Sequence, residues 1–194
     1  MKAAWTWSRS ADTVGSMVDK GSVTNPETQL ASYFAKYDPA TVKLGKALRA
    51  KLRDRLPGLS EIVYVYESQN SLVIAYSPTE GGGGSGGLCG LALYPRSAKL
   101  FFTQGALLSK SDPNKLLQGS GKTVRHVVLN AAADFDRAEI EALMAAALKL
   151  AKLRLDASAK GSVIIKAEAQ KQRALRAKKA ARPTSPRRTG KARR

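Results

Sequence analysis

Two spacings of apolar residues divide the chain. Between residues 26 and 56, Leu30, Phe34 and Tyr37 recur at i, i+4 and i+7, and Leu44, Leu48, Leu52 and Leu56 follow at intervals of four. Each set falls on one face of a helix. Asn25 can cap the first helix and Pro26 suits its first position, while Asp38-Pro39-Ala40 ends it and caps a second over Thr41–Leu56. Beyond Pro57-Gly58 the period shortens to two. "EIVYVYES", "SLVIAYS", "LCGLALY" and "AKLFFT" are rich in β-branched and aromatic residues, and the turns "SQN" and "PRS" join the outer pairs. Four strands in series with such connections predict an antiparallel meander.

The remaining third alternates between the two periods. "LLSKSDPNKLLQGSGK" predicts a loop with one helical turn from Asp112 to Leu117, in which Asp112 caps and Pro113 takes the first position. "TVRHVVLN" reads as a fifth strand. "DFDRAEIEALMAAALKLAKLRL" predicts a long helix: Asp136 caps, Glu139 stands three residues on, and Ile140, Leu143, Ala147 and Leu150 make the stripe. Val163–Ile165 supply a short sixth strand. The expected class is α+β, with helices packed on one face of an antiparallel sheet of five to six strands. "EGGGGSGG" resembles a linker, but the strands beside it are too short to stand alone, so it reads as a long hairpin loop. One domain over 26–168 follows, with a mobile leader at 1–25 that holds Trp5 and Trp7 and a disordered basic tail at 169–194.

Charge changes the picture most. The 194 residues carry a net +18, and residues 169–194 hold eleven Lys or Arg and no acid, so 1–168 keep only +7. Lys171, Arg173, Arg176, Lys178, Lys179, Arg182, Arg187 and Arg188 form the bulk of that tail. Such a segment suits polyanions, nucleic acid above all, through counterion release; the plainer reading is a solubilising tail. Lys43, Lys46, Arg49 and Arg53 give the second helix a basic face that is either solvated or continues the work of the tail. A single cysteine, Cys89, excludes an internal disulfide, and with a single histidine, His126, it argues against a Cys/His zinc site. No stretch approaches the ~20 apolar residues of a membrane span, and the N-terminus lacks an apolar signal core, so a cytoplasmic protein is expected.

"GSGKTVRH" at 119–126 is the most conspicuous chemical motif. A phosphate-binding loop needs G-x-x-x-x-G-K-[ST] between a strand and a helix. Here Leu116 stands where the first glycine belongs and strand-like sequence follows, which excludes a nucleotide grip. His126 has no triad or metal partner at a motif spacing, and as a lone histidine between valines it reads as a packed core residue. No catalytic set emerges, so a non-enzymatic protein without cofactor is expected. One polar cluster does recur in strand context: Tyr64, Tyr66, Asn70, Tyr76, Tyr94, Lys99, Gln104, Arg125 and the neighbouring His126. A sheet face of this composition could hold an anionic or planar ligand, the alternative being tyrosines that edge the core and charges that face water.

The phrases "LPGLSEIVYVYESQNSLVIAYSPTE", "LFFTQGALL" with "LLQGSGKTVRHVVL", and "SVIIKAEAQKQR" resemble the YdhG-like domain-of-unknown-function family of bacterial proteins, from about Pro39 to Arg173. The resemblance implies a frataxin-like α+β fold and, for some members, a role as intracellular iron chaperones. That role relies on an acidic surface, whereas the second helix here is +5. Two expectations therefore stand side by side: a non-enzymatic domain whose basic tail binds nucleic acid without sequence preference, and a small-ligand or metal-handling domain that uses the sheet face.

Overall fold

The structure, a computed structural model, describes residues 25–81 and 86–166. The expected leader up to residue 24 and the basic tail from 169 lie outside the described residues. Three α-helices, α1 (Pro26–Phe34), α2 (Pro39–Arg55) and α3 (Ala138–Leu150), accompany six strands: β1 (Ser60–Tyr66), β2 (Ser71–Ser77), β3 (Cys89–Tyr94), β4 (Ser97–Phe102), β5 (Arg125–Leu129) and β6 (Val163–Ile165). The strands form one sheet in the order β5-β4-β3-β2-β1-β6, an α+β fold. Strands β2 and β3, which flank the glycine-rich loop, pair with each other, so that loop joins neighbours within one sheet.

The sheet departs from the expected pattern at one edge. β1 to β5 pair antiparallel in series, but β6 runs parallel to β1. After β5 the chain crosses by way of α3 to the opposite edge. Parallel pairing of this kind requires a long crossover, which the α3 region supplies.

The register sorts side chains by face. Three rows point toward the helices: Glu61–Tyr76–Cys89–Phe102–Arg125, Val63–Ile74–Leu91–Leu100–Val127, and Val65–Leu72–Leu93–Ala98–Leu129. Their apolar members share one core with Leu30 and Phe34 of α1, Leu48 and Leu52 of α2, and Ile140, Leu143, Met144 and Ala147 of α3. Burying these side chains is the main favourable term in folding.

Local differences have local causes. α2 begins at Pro39 because the Asp38 carboxylate accepts the N–H groups of Ala40 and Thr41, both at 3.0 Å. Asp136 does not cap α3. It ends a 3-10 helix (Ala132–Asp136), and its carboxylate pairs with Lys51 at 2.7 Å. α3 stops at Leu150, ahead of Lys152 with its left-handed backbone (φ 53°), and Leu150 is 40% exposed instead of completing the buried stripe. The helical turn expected at Asp112–Leu117 is displaced to a 3-10 helix at Gly105–Ser111. Asp112 follows that helix, and its carboxylate accepts the N–H groups of Leu116 (2.9 Å) and Leu117 (2.8 Å). Among the described residues no helix is long and apolar enough to cross a membrane.

Candidate functional site: the sheet face away from the helices

Period-two alternation sends the other half of each strand to the opposite face. One row there reads Ile164–Ile62–Ala75–Gly90–Phe101–His126, and the next Tyr64–Val73–Ala92–Lys99–Val128. Tyr66 opposite Ser71, and Tyr94 opposite Ser97, continue the face toward its far end. Small residues line its middle: a Cβ on Gly90 would stand 2.5 Å from the Ile74 carbonyl oxygen and collide with the Phe101 ring, so only glycine lets that ring lie across β3. The rings of Tyr64 and Tyr66 stack at 6.2 Å and 20°. The Lys99 ammonium lies 5.0 Å from the centre of the Tyr94 ring, a cation–π contact. Ile62 and Ala92 are buried, Tyr64, Tyr94, Lys99, Phe101 and His126 are half-buried, and Tyr66 is exposed. None of these strand positions holds a carboxylate.

The structure thus gathers Tyr64, Tyr66, Tyr94, Lys99 and His126 from the predicted cluster and separates the rest. Asn70 sits in the β1–β2 turn with a left-handed backbone (φ 45°), and its carbonyl oxygen accepts the Tyr37 hydroxyl at 3.3 Å. Gln104 is exposed just ahead of the 3-10 helix at 105. Arg125 shares the row of Phe102 on the helix side, and its guanidinium donates to the carbonyl oxygens of Gly121 and Val124. Tyr76 belongs to the core. His126 is not a helix-side core residue either: Val127 and Leu129 take that role, and parity turns His126 outward. Burial and the Lys99 charge lower its pKa. Phe101, missed in the sequence, joins the face by sharing the parity of Lys99, a relation that the alternation of "AKLFFT" contains.

The helix side carries a different polar assembly. Arg49, read from sequence as part of a basic outer face, turns inward. Its guanidinium binds Glu61, which is 3% exposed, and donates to both Glu27 oxygens at 2.8 Å. The Tyr76 hydroxyl donates to Glu61 at 2.9 Å, and Arg53 reaches Glu27 at 3.2 Å. Burial opposes the Arg49 charge, but hydrogen bonds to Glu27 and Glu61 outweigh it and hold its pKa above the usual value. The Arg49 hydrogen bond lowers Glu27, while burial and the Glu61 charge raise Tyr76. This network ties α1, α2 and the sheet together. On α2, Lys43 and Lys46 remain exposed.

Residues 119–126 form no phosphate loop. Gly119 takes a φ of +114° that favours glycine, Gln118 and His126 exchange backbone hydrogen bonds at 2.8 and 2.9 Å, and β5 follows where a helix would be required. Burial pushes the Cys89 thiol up to about 12, which leaves it a packed, unreactive group. Among the described residues no group of three or more His, Cys, Asp or Glu is placed to hold a metal ion. Comparisons with protein-family models, with curated proteins and with solved structures return no match for this chain.

Proposed function

We propose that this is a non-enzymatic, YdhG-like protein that binds nucleic acid without sequence preference, its C-terminal basic segment neutralising phosphates. The observation that carries this reading is the charge distribution: eleven cations and no acid in residues 169–194, against +7 over the rest. Such a segment gains affinity by releasing condensed counterions, whatever the base sequence. The ion pairs of α2 sharpen the assignment. Arg49, Lys51, Arg53 and Arg55 each face a carboxylate, which leaves Lys43 and Lys46 as the helix's contribution and gives the tail the leading part.

Binding of the full chain to a labelled mixed-sequence oligonucleotide, followed by fluorescence anisotropy, tests the proposal. Affinity should fall on the order of a hundredfold between 50 and 200 mM salt, as expected when several phosphates are neutralised. It should largely vanish when the chain is shortened to residue 169. A shortened chain that binds as tightly as the whole overturns the assignment.

A further inference from the structure

We propose that the sheet face away from the helices takes the bases of single-stranded nucleic acid, with Tyr66, Tyr64 and Tyr94 as stacking surfaces and Lys99 as a phosphate contact. The inference rests on the nucleic-acid reading above and gives it a strand preference. Three observations meet on this face. First, its aromatic rings are accessible and ordered against one another: Tyr64 and Tyr66 stack, Tyr66 is 39% exposed, and Tyr94 lies under the Lys99 ammonium. Every base presents a π-face, so rings of this kind bind unpaired bases with little regard to sequence. In a duplex the same base faces are already stacked and out of reach.

Second, the electrostatics suit a polyanion. Lys99 is the charged residue of the inner rows, His126 stands two positions along from Val128, the partner of Lys99 across the β4–β5 pair, and none of the described strand positions on this face holds a carboxylate. The acids of the neighbouring strands point elsewhere: Glu61 is held by Arg49 on the helix side, and Glu80 accepts the Ser162 hydroxyl beyond the end of β2. Third, the described residues end beside this face. β6 forms the sheet edge beside β1, and the Lys166 backbone N–H donates to the Val63 carbonyl at 2.9 Å, one residue before Tyr64. The basic segment follows Lys166 in sequence, so a strand that it holds would meet the rings at raised effective concentration.

The test uses the full chain with a labelled mixed-sequence 20-mer, single-stranded or as a duplex, at 50 and 200 mM salt. At the higher salt, where the phosphate term is weakest, the single strand should bind about fivefold or more tightly than the duplex. Tyr66→Ala and Tyr94→Ala should each weaken single-strand binding about fivefold or more while leaving duplex binding and the salt slope in place. Tyr66→Phe keeps the ring and should bind as the parent does. Lys99→Gln should flatten the single-strand slope of log K against log salt by about 0.7. Tyr66 is already exposed, so its variants keep the fold, and circular dichroism checks this. If single strand and duplex bind alike and both alanine variants match the parent, the face proposal is overturned while the tail reading stands. If the full chain binds neither nucleic acid at 50 mM salt, both fall. If Tyr66→Ala instead changes the sedimentation coefficient without nucleic acid and leaves the affinity intact, the face is a contact between copies and the proposal is likewise overturned.

Discussion

The two faces of this sheet are made by the same strands and differ in what they carry. Toward the helices stand three rows of large aliphatic and aromatic side chains, closed at one end by Glu61 and Tyr76 under Arg49. Away from them the rows thin to Ala75, Gly90 and Ala92 in the middle and carry tyrosines, a lysine and a histidine around it. On the first face a polar group survives only when fully partnered, as Glu61 is. On the second, the tyrosines, Lys99 and His126 stay partly exposed, while the smaller Ser60, Ser71 and Ser77 are buried, the Ser71 hydroxyl without a partner among the described residues. The main hydrophobic core lies on one side, which leaves the charged and aromatic positions of the other less constrained by packing.

Truncations should expose that asymmetry. Leu91→Ala, in the middle helix-side row and fully buried, should lose about 2–5 kcal/mol in urea denaturation, the range for a large core side chain replaced by alanine. Arg49→Ala strands the Glu61 carboxylate at 3% exposure and should cost about 3 kcal/mol, as when one partner of a buried ion pair is removed. A smaller loss for Arg49→Ala than for an open-face substitution would erase the contrast. Gly90→Ala tests the boundary between the faces. The Phe101 ring can move aside but the Ile74 carbonyl cannot, so about 1–3 kcal/mol should be lost. Lys99→Ala, by contrast, should change stability by no more than about 0.5 kcal/mol.

The smallest effect is one of pH. The folded-state pKa of His126 is depressed by burial and by Lys99, so the unfolded chain takes up its proton first as the pH falls. The stability contribution of this residue is therefore complete above its ordinary value of 6.5 and is lost progressively below it. Replacing His126 with Gln should make the decline in thermal midpoint between pH 7 and 5.5 shallower. An unchanged slope would show that the histidine is not desolvated in the folded chain.

Much of the architecture was legible because it is written in local periodicity. The leucines of α2, the alternation of β1 to β5 and the Val163–Ile165 strand all appear where spacing places them. Of the residues grouped from sequence, Tyr64, Tyr66, Tyr94, Lys99 and His126 share one face, while Asn70, Tyr76, Gln104 and Arg125 lie elsewhere. Asn70 and Gln104 fall just outside the strands, and Tyr76 and Arg125 fall on the other parity. Membership of a face depends on the parity of each strand relative to its neighbour, and parity across strands is set by the turns between them. Arg49 failed for a related reason, since its partners Glu27 and Glu61 lie 22 and 12 residues away along the chain.

Composition and pattern alone thus settle the α+β class, the order of the elements and the gathering of positive charge at the C-terminus, because each is a property of neighbouring residues. Which side of the sheet the helices cover, the parallel seat of β6, the capture of Arg49 and the convergence of Tyr66, Tyr94 and Lys99 required the folded chain. These depend on contacts between residues far apart in sequence, and such contacts are decided by how whole faces pack and exclude water.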